Sequence, residues 1–357
     1  MCIKLRPILT PSSTWRGEPG EQWSSAQGLE SVLLSIQSLM GANPYTNEPG
    51  YEEAKSREDK EMQKHYIDKI QHETIRISVI QRLEEYLGLR VSLTNAAAYT
   101  AAEDIDPAVT PFEPFVDLCK RRFLWYFDSY LDTIQQGKKR IKDGKAFVGM
   151  PFESMTSLES NGMKGVFDYS ALETRIHAVK AAIDKETERW AAKGLLELKN
   201  DSCVAANLQH QFKQVTAQLQ YGSSPMDVTL EENNPFVWFV TYFGRPMTNL
   251  DGGVFRLRMS FSPSFPSEAP RVKLETKIFH ECVASDGTLC YVPNLSKIED
   301  VRSHIDAIIK ALENDEPTYD PRKIVNPEAT RLFWGKKPED KKQYSRLLRR
   351  SVQQMME

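Results

Sequence analysis

Three features predict an α+β protein. Helical spacing dominates the first 200 residues, a two-residue alternation sets in near residue 236, and helical spacing returns from residue 300. Helix, strands, irregular loop and helices in that order give an antiparallel meander with flanking helices, preceded by a mainly helical region.

Residues 24–40 place Leu29, Val32, Leu33, Ile36 and Leu39 on one helical face. Asn43-Pro44 stops that helix, and Asn47-Glu48-Pro49-Gly50 reads as a turn. A second helix over 58–86 carries Ile67, Ile70, Ile75, Val79 and Leu83 on its apolar side. Between 88 and 114, Ala96-Ala97-Ala98 with Pro107, Pro111 and Pro114 reads as a linker or a loop lying on a surface. Residues 114–136 form a helix with a strongly aromatic stretch, Phe123-Leu124-Trp125-Tyr126-Phe127. Packing between two helices is favoured for that stripe over a ligand face. Glycines at 137, 144, 149, 162 and 165 mark a loop, and 169–193 is another amphipathic helix. Nothing in 88–200 reads as chemistry.

The final third opens with a helix over 204–220, with Leu208, Phe212, Val215 and Leu219 in register. The run Phe236-Val237-Trp238-Phe239-Val240-Thr241-Tyr242-Phe243 has the composition of a buried strand. From 254 to 261, Phe255, Leu257, Met259 and Phe261 face one way and Arg256, Arg258 and Ser260 the other, a half-buried strand. Arg271-Val272-Lys273-Leu274-Glu275 repeats the alternation. Helices over 300–313 and 338–356 close the chain, with Ile305, Ile309 and Leu312 on one and Tyr344, Leu348 and Val352 on the other.

Composition narrows the function. A formal charge of 46 − 49 = −3 argues against nucleic acid or an anionic membrane as partner. The five cysteines, Cys2, Cys119, Cys203, Cys282 and Cys290, are odd in number and contain no C-x-x-C, against both a disulfide framework and a zinc site. Reduced thiols place the protein in cytosol or nucleus. No segment has the apolar length of a membrane span. Lys138-Lys139-Arg140 and Arg349-Arg350 read as solvated helix faces rather than import signals.

The two ends also resemble each other. Ile36-Gln37-Ser38-Leu39 followed by Asn47-Glu48-Pro49 parallels Ile309-Lys310-Ala311-Leu312 followed by Asn326-Pro327-Glu328, with Tyr66 and Tyr344 at matching distances beyond. An internal repeat lacking the front half of its first copy explains this.

Six blocks occur in order: Asn234-Pro235-Phe236-Val237-Trp238, Gly244-Arg245-Pro246, Gly252-Gly253-Val254-Phe255, Phe265-Pro266-Ser267-Glu268-Ala269-Pro270, Phe279-His280 and Asp286-Gly287-Thr288-Leu289-Cys290. Together they resemble the ubiquitin-conjugating enzymes over residues 203–357. The resemblance implies a helix, a four-stranded antiparallel meander, an irregular loop bearing the acceptor cysteine, and C-terminal helices. Trp15-Arg16-Gly17, Trp23-Ser24, Val32-Leu33-Leu34-Ser35-Ile36, Asn43-Pro44-Tyr45 and His72-Glu73-Thr74-Ile75-Arg76 resemble the Z-type branch of that family. Cys2 lies where that branch keeps its catalytic cysteine. The expected organisation is a front-truncated conjugating domain over 1–88, a helical extension over 89–200, and an entire conjugating domain over 203–357.

Within the resemblance, Cys290 is the thiol that accepts a modifier as a thioester. It is expected on an extended, exposed loop, because it follows the turn signal Asp286-Gly287. His280 and Cys282 stand where the family has the first and last residues of His-Pro-Asn; His280 knits the loop, and Cys282 reads as a small buried filler rather than a redox partner of Cys290. Ser267 stands where the family often offers an apolar side chain to a ligase, and Lys213 is the one basic residue on the helix expected to meet the activating enzyme. Cys2 is expected to catalyse nothing. The implied partners are ubiquitin or a ubiquitin-like modifier, an activating enzyme that uses the ATP, and a ligase. No Gly-rich phosphate loop or metal site is present, so no bound cofactor is expected. The alternative is a catalytically inactive variant that binds ubiquitin or a partner enzyme as a scaffold. A gene product with its front half missing is a third possibility.

Overall fold

A computed structural model of the chain describes residues 28–38, 41, 43–48, 50–89, 113–152, 164–200, 203–221, 225–314 and 324–354. Cys2 and the motifs through Trp23-Ser24 lie outside them. The chain divides into two compact units, one drawn from residues up to Val79 and from Ile134–Leu172, the other from Ile80–Thr133 and from Glu173 onward.

In the second unit the alternating segments form one antiparallel sheet, β1 (Met226–Glu231), β2 (Asn234–Phe243), β3 (Val254–Ser260) and β4 (Arg271–Leu274), in that order. β2 is flanked on both sides: Trp238 pairs with Leu230 and Met259, and Val240 with Val228 and Leu257. Covered on both faces, its residues 236–240 are all buried, which explains a continuous apolar run rather than an alternating one. β1 is a strand the periodicity reading did not identify residue by residue, although Met226, Val228 and Leu230 alternate with Asp227, Thr229 and Glu231. Glu232 and Asn233, both at positive φ, make the two-residue turn into β2.

Helices close the inner face of the sheet. The helix Cys203–Tyr221 buries Ala205, Leu208 and Val215, and Val301–Glu313 buries Val301, Ile305, Ile308, Ile309 and Leu312. The short helix Pro327–Phe333 was not expected. It is set by Asn326, whose side chain accepts from Ala329 N–H, and by Pro327 in the first turn. Pro338–Gln353 adds Tyr344, Leu348 and Val352 to the same core.

Upstream, the described helices are α1 (Leu29–Ser38), α2 (Arg57–Glu73), α3 (Arg82–Tyr86), α4 (Val116–Arg140) and α5 (Tyr169–Lys199). A Ser56/Asp59 capping box starts α2. Between α2 and α3, residues Thr74–Gln81 are π-helical. That wider turn moves the buried stripe by one residue: Ile75 and then Ile80 are buried, five apart, where Val79 was expected. Gly137 lies inside α4 rather than in a loop. A Cβ there would sit 2.3 Å from the Tyr169 ring, so the glycine serves close packing within the first unit.

The first unit has its own aromatic core of Tyr45, Tyr66 and Met150 with Tyr51 and Phe152. His72 is buried among Phe147, Phe167 and Tyr169; its Nε2 accepts Asp168 N–H at 3.0 Å. In the second unit, polar ties fasten the early part of α4 and most of α5. Arg271 meets Asp117 at 2.7 Å, Lys120 meets Glu186 at 2.8 Å, and Arg175 meets Glu84 at 2.7 Å.

Candidate active site

Cys282 to Cys290 form a tight hairpin on the free edge of β4. Val283 bridges Leu289, Ala284 N–H donates to Thr288 O at 2.9 Å, and Cys290 N–H donates to Cys282 O at 2.9 Å. The second, inner strand of this hairpin continues the sheet: Leu274 N–H donates to Gly287 O at 2.7 Å and Leu289 N–H to Val272 O at 3.1 Å. The sequence signal that placed a turn at Asp286-Gly287 is satisfied, since Gly287 has φ of +84°.

His280 holds the base of the hairpin. Its Nε2 meets Leu312 O at 3.2 Å, which fixes the proton there, and Nδ1 accepts Cys282 N–H at 3.2 Å. The Cys282 sulfur lies 3.0 Å from the same Nδ1 and 3.6 Å from Ala311 O. Burial pushes the Cys282 thiol well above its usual range, so it stays protonated at neutral pH. Next to Cys290, Tyr291 is buried, and its hydroxyl meets His304 Nδ1 at 2.9 Å.

Asp286 ties the hairpin tip to α5. Its carboxylate accepts Thr288 N–H at 2.9 Å and meets Lys180 Nζ at 2.7 Å. Burial alone would raise its pKa, but the Lys180 ammonium and the Thr288 bonds outweigh that and hold it at about 2. A carboxyl with a depressed folded-state value stabilises the fold fully above its ordinary 3.8 and loses that contribution as pH falls toward about 2. Asp286→Asn is therefore expected to destabilise the protein by about 1–2 kcal/mol at pH 7, after solvent screening, with the deficit shrinking as the denaturation series is taken below pH 4.

The expectation for Cys290 needs a correction. It is 8% exposed, not on an open loop. Its side chain lies in a small apolar cluster with Trp125, Ala284 and Val325, against which Tyr126 also packs. Trp125 and Tyr126 belong to α4, whose aromatic stripe was expected between two helices; Phe127 does meet His177 of α5 at 5.5 Å between ring centroids, but Trp125 and Tyr126 lie at the Cys290 cluster instead. One more α4 residue reaches the same hairpin: Asp128 accepts from Ser285 N–H at 2.7 Å and from its hydroxyl at 2.9 Å. Its neighbour Ser129 instead donates to Ile324 O, next to Val325 of the cluster. So the segment that showed no chemistry supplies Trp125, Asp128 and Lys180 to the one stretch that does. Ser267, in the turn between β3 and β4, and Lys213, on the helix Cys203–Tyr221, are exposed and outside the hairpin.

Among the described residues no cluster of histidine, cysteine or carboxylate side chains could hold a metal, and no helix is long and apolar enough to cross a membrane.

A family profile described as ubiquitin-conjugating enzyme matches residues 207–346, which contain the whole sheet, the hairpin and the helices that follow it as far as Arg346. Ubiquitin-conjugating enzyme E2 3 of Arabidopsis thaliana is 31% identical over 127 residues, 35% of this chain and 79% of the relative. The chain belongs to the ubiquitin-conjugating enzyme family. Ubiquitin-conjugating enzyme E2 Z of Xenopus tropicalis is 52% identical over 71 residues, 20% of this chain and 21% of that protein. The E2 Z of Danio rerio is 32% identical over 167 residues, 47% of this chain and 39% of its own length. The chain thus spans well under half the length of these Z-type conjugating enzymes. Trp125, Asp128 and Lys180 all lie before the segment matched by the ubiquitin-conjugating profile.

Proposed function

We propose that this protein carries ubiquitin or a ubiquitin-like modifier as a thioester on Cys290 and passes it to a lysine amine. The observation that carries the reading is the hairpin itself: in a ubiquitin-conjugating domain, His280 anchors one strand and Cys290 sits opposite it on the other. In loading, the Cys290 thiolate attacks the carbonyl carbon of the modifier's thioester on an activating enzyme. The carbon–sulfur bond to that enzyme breaks, and its thiolate leaves. In transfer, a lysine amine attacks the Cys290 thioester, an amide forms, the amine gives up a proton and the Cys290 thiolate leaves. ATP is consumed upstream, by the activating enzyme. A ligase would meet the exposed turn at Ser267, and Lys213 would face the activating enzyme. On this reading the protein works in cytosol or nucleus, where thiols stay reduced.

Two observations favour a second reading, a scaffold that binds ubiquitin or a partner enzyme without chemistry. Cys290 is covered, and Cys282 replaces the family's asparagine with a weak donor whose thiol faces His280.

Loading separates the two. Incubation with activating enzyme, ATP and ubiquitin is expected to give an adduct that reductant cleaves on a gel. Cys290→Ser is expected to give a reductant-resistant ester, and Cys290→Ala none. An adduct that survives Cys290→Ala would place acylation on another cysteine, such as exposed Cys203. No adduct on the wild-type protein, with a second conjugating enzyme charging alongside, leaves the scaffold.

A further inference from the structure

Ala284 and Val325 of the conjugating segment cover part of Cys290, and the rest of its cover has another origin. The Trp125 and Tyr126 side chains on its cluster, the Asp128 carboxylate on Ser285, and the Lys180 ammonium on Asp286 come from α4 and α5. Each grips a different part of the hairpin: the acceptor position, the turn, and the tip. None comes from the segment that matches the ubiquitin-conjugating profile. A thioester exchange needs the carbonyl of an extended modifier tail within bonding distance of the Cys290 sulfur, and Trp125 and Tyr126 of α4 pack in the cluster around that residue, which is 8% exposed.

We propose that α4, latched by Asp128 and by Lys180 of α5, is an autoinhibitory cap on Cys290, and that charging requires it to lift from the hairpin. The inference rests on Cys290 being the acceptor. The release is local to the hairpin contacts, while Asp117 stays tied to Arg271 and Lys120 to Glu186 at the start of α4. Asp128 meets Ser285 at an exposed position, where water replaces the lost bonds, and the apolar contact under it is a small cluster separate from the main core. A partner that draws Asp128 or Lys180 away from the hairpin would therefore expose the thiol without unfolding the domain.

The test follows iodoacetamide labelling of each cysteine in the full chain by peptide mass spectrometry. Exposed Cys203 and core Cys282 serve as internal references. In the wild type, Cys290 is expected to react far more slowly than Cys203. Losing one charged hydrogen bond raises the open population, and with it the labelling rate, by about tenfold. Asp128→Ala and Lys180→Ala are each expected to do this to Cys290 while Cys282 stays protected, and Asp128→Asn, which keeps the side chain's shape, to do it less. Cys290 labelling as fast as Cys203 in the wild type, or unchanged in both alanine variants, overturns the cap. So does acceleration of Cys290 and Cys282 together, which would mean general unfolding. Ubiquitin charging is then measured on the same variants. Faster charging in step with faster labelling supports the cap and the carrier reading together. Faster labelling without any adduct keeps the cap as a cover over the thiol and defeats the carrier reading instead.

Discussion

Trp238→Ala is expected to destabilise the second unit by about 3–5 kcal/mol, the range for removing a fully buried large aromatic side chain. Trp238 is 0% exposed and stands at the middle of β2, paired on both sides. Its ring packs edge-on to Phe212 of the helix Cys203–Tyr221 at 5.3 Å between centroids, and against Phe261 at 5.7 Å. Alanine would leave a cavity bounded by a rigid strand and a helix, neither of which can collapse without breaking the sheet. It would also strip Pro235 O of the indole N–H that it accepts at 2.7 Å, leaving a buried carbonyl without that donor. Typical domains hold only about 5–15 kcal/mol in total, so the variant is expected to be partly unfolded near body temperature. Urea denaturation followed by far-ultraviolet circular dichroism checks this, with Trp238→Phe as the control that keeps a ring but loses the N–H. A loss below about 1 kcal/mol for the alanine variant would mean that the core is not packed around this residue.

The sheet and its core were legible because alternation is a local property. Phe255, Leu257 and Met259 declare their buried face within one strand, and the faces of the last helices are equally explicit. Where local geometry departs from a regular period, the sequence pattern misleads. The π-helical turns from Thr74 move burial from Val79 to Ile80, and Gly137 resembles a loop residue because its packing partner, Tyr169, is distant in sequence. The candidate site divides in the same way. His280, Cys282, Asp286 and Cys290 lie within one short hairpin, so a motif could assemble them. Their environment could not be read. Asp128 meets Ser285 across 157 residues, and the aromatic stripe expected between two helices carries no sign that Trp125 and Tyr126 lie at the hairpin cluster instead. The turn signal at Asp286-Gly287 correctly marked a reversal, but a reversal at a surface becomes buried when a helix from elsewhere lies on it.

Gly287→Ala is expected to cost about 3 kcal/mol or more and to unseat the hairpin that bears Cys290. Two penalties combine. Its φ of +84° lies where a side chain strains the backbone by about 1–2 kcal/mol. Independently, an added Cβ would fall 2.3 Å from Leu274 O, the backbone of β4, which has no flexible end to move aside. The same residue's carbonyl accepts Leu274 N–H at 2.7 Å, so the hairpin cannot back away from β4 without giving up that bond. Glycine is thus required twice, for conformation and for closeness. Asn separates the two requirements: it tolerates positive φ but still carries a Cβ. If closeness dominates, Gly287→Asn is expected to lose nearly as much stability as Gly287→Ala, and if conformation dominates it recovers most of it. Thermal denaturation of both variants decides between these. An alanine variant within about 0.5 kcal/mol of wild type would show that the hairpin does not lie this close to the edge of β4.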